Sequence, residues 1–314
     1  MHTARVSSAA PAFPADVGGS RFGRSISRAV RALFQGDRFG IAALCFLALI
    51  VLLAVLAPFI APYDPVHVST DNLAPPNLRH PFGTDQFGRD MLSRILWGAR
   101  LTLLAPVVGI GISTLFGVPL GLLAGYSTRW MSGLIMRVMD VMLAFPGLLL
   151  ALIVVTIIGP GVVNVMVAIG IAFIPVFARV VYGSTLAVRG QDYVTAARSL
   201  GCTPRWLVAR HILPNLATQI IVIASSAVGW AILTATTLNF LGFGVKLPTP
   251  EWGADLAAGK DWLQLAWWTS ACPGLAITAV ILAANYLGDH IAAVLEPHSH
   301  WRDRVQQVGL EGLQ

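Results

Sequence analysis

The groups that could do chemistry in this chain of 314 residues are 15 carboxylates, seven histidines and three cysteines. Few stand at a working spacing. Asp85 and Asp90, within the run F-G-T-D-Q-F-G-R-D from Phe82 to Asp90, could act as a general acid and base. Asp85 with Arg89 and Asp90 with Arg94 are also i,i+4 pairs of the kind that support a helix start. We read them so, and expect a separate interfacial helix there with Met91, Leu92, Ile95 and Leu96 on its buried face. Glu296, His298 and His300 carry ligand atoms that nickel accepts, but they lie on a terminal tail and no metal is assigned. A phosphate-cradling G-x-x-x-x-G-K-[ST] is absent: Ala254 holds the first glycine's place before Lys260, and Asp261 follows. H-E-x-x-H does not occur either. No catalytic residue is assigned, and the chain has no loop of its own with which to cradle and hydrolyse ATP.

The elements that position these groups are membrane spans. The chain is 56% hydrophobic and 11% charged, with a mean hydropathy of +0.72, too apolar for a soluble domain of its length. Apolar runs long enough to cross a bilayer as helices cover Gly40 to Ala61, Leu101 to Gly125, Leu134 to Ile158, Val162 to Tyr182, Leu216 to Leu238 and Ala266 to Ala293. Six spans are expected. The net charge of +6 comes from tails and short loops, the pattern of the positive-inside rule and not of a nucleic-acid surface. Six arginines precede the first span, Arg129 and Arg137 follow the second, and five lie between Arg179 and Arg210. Both termini and the polar loop after span four are therefore expected in the cytoplasm.

Span two carries Gly109, Ser113, Gly117, Gly121 and Gly125, small residues every fourth position along one face, against which a neighbouring helix can pack closely. Pro106, Pro119, Pro146, Pro175 and Pro273 interrupt spans at depth, as gate kinks or as ordinary membrane prolines. Span five holds Ser225, Ser226, Thr234, Thr236, Thr237 and Asn239, a polar face that suits either a water-filled path or helix-to-helix hydrogen bonds. An ion-coupled secondary transporter would need an ionisable group near the bilayer centre. Asp140 in span three and Arg179 in span four are its candidates, each able to reach the interface or the other.

The longest polar interruption of the second half is Tyr193 to Pro214, Y-V-T-A-A-R-S-L-G-C-T-P-R-W-L-V-A-R-H-I-L-P. Gly201 reads as a helix stop, and Thr203 before Pro204 as an N-cap and a first-turn proline. Two short helices joined at Gly201 follow, with small Ala196, Ala197 and Gly201 leaving room for close approach by another protein. A-A-x-x-x-G followed by Leu213 and Pro214 resembles the cytoplasmic EAA loop of ABC importer permeases. The Phe82 to Asp90 run, M-D-V-M-L-A-F-P at Met139 to Pro146, and N-F-L-G-F-G-V-K-L-P-T-P-E-W-G at Asn239 to Gly253 resemble the C-type permease of dipeptide, oligopeptide and nickel importers. Thr195 stands where the loop's glutamate would, His211 at the usual isoleucine position and Glu296 at a usual aspartate.

The resemblance implies an all-α integral membrane protein with the type I importer permease fold and coupling helices between spans four and five. It implies docking through Tyr193, Ala196, Ala197, Gly201, Leu213 and Pro214, and a path lined in part by Ser225, Ser226, Thr234, Thr237 and Asn239. The implied partners are a second permease, two ATPases that carry the ATP and magnesium, and an external substrate-binding protein; the solute would be a peptide or, in the same family, nickel or another small solute. Residues 1–39 are read as a cytoplasmic tail with a basic amphipathic segment from Ser25 to Gln35, residues 40–293 as the permease domain and 294–314 as a second tail.

Overall fold

The computed structural model describes residues 38–295, so the tail segments, with Glu296, His298 and His300, lie outside the described residues. Its tightest contact joins α2 (Met91–Tyr126) to α5 (Val162–Arg189). A Cβ added at Gly109 would meet Ile169, at Gly117 Phe177, at Gly121 Val181 and at Gly125 Thr185. The partner advances along α5 in step with α2, so the two helices run parallel. Ser113 sits within the stripe and donates its hydroxyl to the Gly170 carbonyl at 2.8 Å.

Parallel neighbours require the chain to recross between them. That return is made by α3 (Arg129–Leu143) and α4 (Gly147–Ile158), bent 93° at Ala144 to Pro146. The expected continuous span from Leu134 to Ile158 is thus broken. Pro146 donates no amide hydrogen and disfavours helical backbone at Phe145, which ends α3 there. With α1 (Arg38–Ile60), α2, α5, α8 (Leu213–Phe240) and α10 (Trp268–Leu295), each long and apolar enough to cross, the bent pair makes six crossings among the described residues. Pro106, Pro119, Pro175 and Pro273 lie inside unbroken helices.

Several boundaries differ from expectation. α2 begins ten residues before Leu101, so Met91, Leu92, Ile95 and Leu96 are its first turns and form no separate interfacial helix. Asp90 caps it, accepting from the Ser93 amide at 2.8 Å and bonding His80 Nδ1 at 2.9 Å, and does not pair with Arg94. Asp85 does pair with Arg89, at 2.6 Å, but in a turn. α5 runs on to Arg189 beyond the expected Tyr182, and α7 (Pro204–Leu207), a π turn at Val208–Ile212 and α8 form one 37-residue rod.

The main apolar core is shared by α2, α4, α5 and α8, with Ile169, Phe177, Ile212, Leu216 and Leu238 fully buried. A second cluster joins α1, α2, α8 and α10 around Trp252, Ile232 and Val280. Trp252 opens the short helix α9 (Trp252–Gly259), which packs on α2, α8 and α10.

Candidate functional site

α6 (Asp192–Ser199) and α7, the first turn of the rod, form a polar elbow between α5 and α8. The turn is a Schellman stop: Gly201 N–H donates to Arg198 O at 3.0 Å and Cys202 N–H to Ala197 O at 3.2 Å. That closure requires positive φ at the residue after the cap, and Gly201 supplies it at +84°. Pro204 starts α7 as expected, while Thr203 takes the N-cap position without a side-chain hydrogen bond.

The elbow is held by Val194 and Leu207, 2% and 1% exposed. Its other face is open: Tyr193, Ala196, Gly201, Leu213 and Pro214 are exposed and Ala197 is half-buried. A Cβ at Gly201 would meet nothing within 4 Å. Within the elbow His211 packs edge-on to Trp206, ring centroids 4.9 Å apart, and Asn215 donates to the Tyr193 hydroxyl at 3.2 Å. Among the described residues the Thr195 hydroxyl bonds only within its own turn, to Gln191 O. The small residues thus leave unfilled space on the outside of a fixed frame, the shape a second protein's side chain can enter.

The polar residues of α8 divide by use. Thr234 and Thr237 donate to carbonyls four residues back, Trp230 O and Leu233 O, at 2.8 and 2.7 Å, and Ser225 to Val222 O at 2.9 Å. Thr234 is buried, while Ser225, Ser226 and Thr237 are half-buried. Asn239 is 6% exposed and spends both ends on backbone, donating to Ala235 O at 2.9 Å and accepting from Val245 N–H at 3.1 Å. It fixes the turn after α8, a second Schellman stop at Gly242, φ +84°.

Beyond that turn lies a buried polar lock that sequence reasoning missed. Glu251, 1% exposed, caps α9 by accepting from the Ala254 amide and the Thr102 hydroxyl, each at 2.8 Å. Burial pushes its carboxyl up to about 7, against the pull of those hydrogen bonds. Arg94, wholly buried on α2, pairs with Asp255 and donates to Pro65 O and Pro248 O at 2.9 and 3.0 Å. Burial raises the Asp255 carboxyl while Arg94 opposes it, and burial followed by the neighbouring Arg94 lowers Arg89. The available signal was Glu251 and Asp255 in one short stretch and Arg89 and Arg94 in another, each beside an apolar span, where a paired charge is the stable form. Among the described residues no group of three or more His, Cys, Asp or Glu could hold a metal.

The described residues form a membrane-embedded helical bundle with an open polar elbow between two of its crossings, the architecture of a multi-pass membrane subunit that offers a docking surface at its edge. The chain belongs to the family of binding-protein-dependent transport system inner membrane components, the permeases of ATP-binding-cassette importers; that family's model matches residues 117–300. Residues 26–76 match the N-terminal transmembrane domain of oligopeptide transport permease C. The chain is 42% identical over 271 residues to the di/tripeptide transport system permease protein DppC of Pseudomonas aeruginosa, covering 84% of this chain and 89% of that one. It is 42% identical over 266 residues to the glutathione transport system permease protein GsiD of Escherichia coli, covering 84% and 88%. In fold it is similar to a chain of the inward-facing MetNI methionine ABC transporter, with a TM-score of 0.53, 16% identity, and coverage of 65% of this chain and 97% of that one.

Proposed function

We propose that this permease is one of two, non-identical, that together form the path of an importer for di- and oligopeptides or a closely related small solute. It sits in the bacterial inner membrane with both termini and the α6–α7 elbow in the cytoplasm. Two ATPases, which carry the ATP and magnesium, dock on the elbows, and an external binding protein delivers the solute. The observation that carries the reading is the elbow itself, whose open face is made of Tyr193, Ala196, Gly201, Leu213 and Pro214 at the foot of a single long rod. The relatives supply the solute class: one is named for di- and tripeptides and another for glutathione, itself a small peptide. The half-buried Ser225, Ser226 and Thr237 are the positions of α8 through which a path can show a polar face, with Thr234 and Asn239 behind them.

The test is uptake of a labelled dipeptide by the reconstituted complex. It should require ATP and survive collapse of proton and sodium gradients. Gly201→Val and Ala197→Trp should abolish uptake at normal membrane abundance. Gly201→Asn, which tolerates left-handed backbone, separates strain from docking: milder than Val if the backbone matters, equal to it if bulk does. Uptake driven by an ion gradient without ATP would replace this reading with a secondary carrier, and retention of nickel by the binding protein would replace the solute.

A further inference from the structure

Asp140 on α3 and Arg179 on α5 form an ion pair, carboxylate Oδ1 to guanidinium Nη2, yet their side chains stay 48% and 53% exposed. Both lie toward one end of their spans: Asp140 stands six residues past Leu134 and Arg179 three short of Tyr182, about 9 and 5 Å along their helices. Even near the edge of the hydrocarbon layer, charges left open to lipid are unfavourable, and the cost grows with depth. The exposed side of this pair therefore faces water or protein. Beside it runs a groove of about 580 Å³ lined by Arg129, Ser132, Met136 and Tyr182, with Ser132 Oγ 3.4 Å from the Tyr182 hydroxyl. Charges of both signs with two hydroxyls suit a solute that carries both signs.

Resting on the importer reading above, we propose that this groove is part of the path wall and that Asp140 and Arg179 are a contact site for a zwitterionic solute. The pair opens, Asp140 accepts hydrogen bonds from the solute's ammonium, and Arg179 donates its fork to the solute's carboxylate. One ion pair is exchanged for two, and the gain is offset by stripping water from the solute's two charged ends, so the solute is held weakly enough to leave, as a transport path demands. Without solute the two charges neutralise each other and no unpaired charge is left in the membrane. Arg129 at the groove's end biases the solute's carboxylate toward one direction.

The experiment uses the complete reconstituted transporter, with native cysteines replaced and Met136→Cys introduced. A charged, water-soluble thiol reagent should modify that cysteine, and millimolar alanyl-alanine should slow the reaction at least threefold. Asp140→Asn and Arg179→Gln should each lower alanyl-alanine uptake at least tenfold at normal membrane abundance. The swap Asp140→Arg with Arg179→Asp should restore thermal stability, because the pair re-forms, but not uptake, because the polarity is reversed. An unreactive Met136→Cys, unaffected uptake in the single variants, or full recovery of uptake in the swap would overturn the proposal, the last by making the pair a structural latch. A wild-type complex that imports no dipeptide would instead sink the peptide reading, while the thiol reaction, which needs no solute, still decides the groove.

Discussion

Arg100 donates through Nε to the Ala54 carbonyl at 2.6 Å, and Ala54 is the acceptor that Pro58, four residues on in α1, leaves without an amide hydrogen. A proline inside a membrane helix orphans one carbonyl, and here the next crossing supplies the donor. Arg100 also reaches Val55 O at 2.9 Å and stacks on Trp97, 4.7 Å from the ring centroid. Arg100→Leu should destabilise the protein by about 1–3 kcal/mol. In a Pro58→Ala background, where the helix makes its own bond, the loss should shrink. Melting in detergent measures both, and equal losses in the two backgrounds would refute the coupling.

Glu251 makes stability depend on pH. Its pKa rises from 4.5 to about 7 on folding, so between those values the folded chain keeps a proton that the unfolded chain has lost. Its contribution is complete below pH 4.5 and is lost as pH rises to about 7, by roughly 3 kcal/mol. Glu251→Gln should flatten that part of the melting-temperature profile between pH 5 and 8. An unchanged slope would mean that another group titrates.

The glycine stripe gives an internal control. A Cβ at Gly121 would stand 2.5 Å from Ala178 O, a backbone atom that cannot move without moving α5, whereas a Cβ at Gly183 meets nothing within 4 Å. Gly121→Ala should cost about 1–3 kcal/mol and Gly183→Ala next to nothing. Comparable melting temperatures for the two would contradict the parallel α2–α5 contact.

Topology is read by labelling intact cells. Thr70→Cys and Thr249→Cys, at exposed positions in an otherwise cysteine-free chain, should react with an impermeant reagent from outside. Native Cys202, beside Gly201, should react only after permeabilisation. Outside labelling of Cys202 would invert the protein and separate the elbow from any cytoplasmic ATPase.

Much of this was legible in the sequence because it is local. Gly201 and Pro204 announce the elbow through backbone restrictions of single residues, and the four-residue spacing from Gly109 to Gly125 announces a close helix contact. The partner of that contact was not legible, since nothing local says that Gly121 meets α5 and not α8. The i,i+4 rule failed at Asp90 and Arg94 for the same reason: Asp90 was taken by the cap of α2 and by His80, and Arg94 by Asp255, 161 residues away. The break in the third span had its signal in Pro146, but apolar length outweighed it. The role of Asn239 in the turn was not legible either, because its amide bonds backbone on both sides, one partner being Val245 beyond the helix end.

The 37 residues from Pro204 to Phe240 have a mechanical meaning. At 1.5 Å per residue they make a shaft about 55 Å long. Its foot is the elbow and its head is clamped by Asn239 to the turn that leads into Glu251 and Trp252. A tilt of about 5° at the foot displaces the head by roughly 5 Å, about a helical turn. Leverage of that kind lets a small motion on one side of a membrane reshape the other side without any chemical signal passing between them.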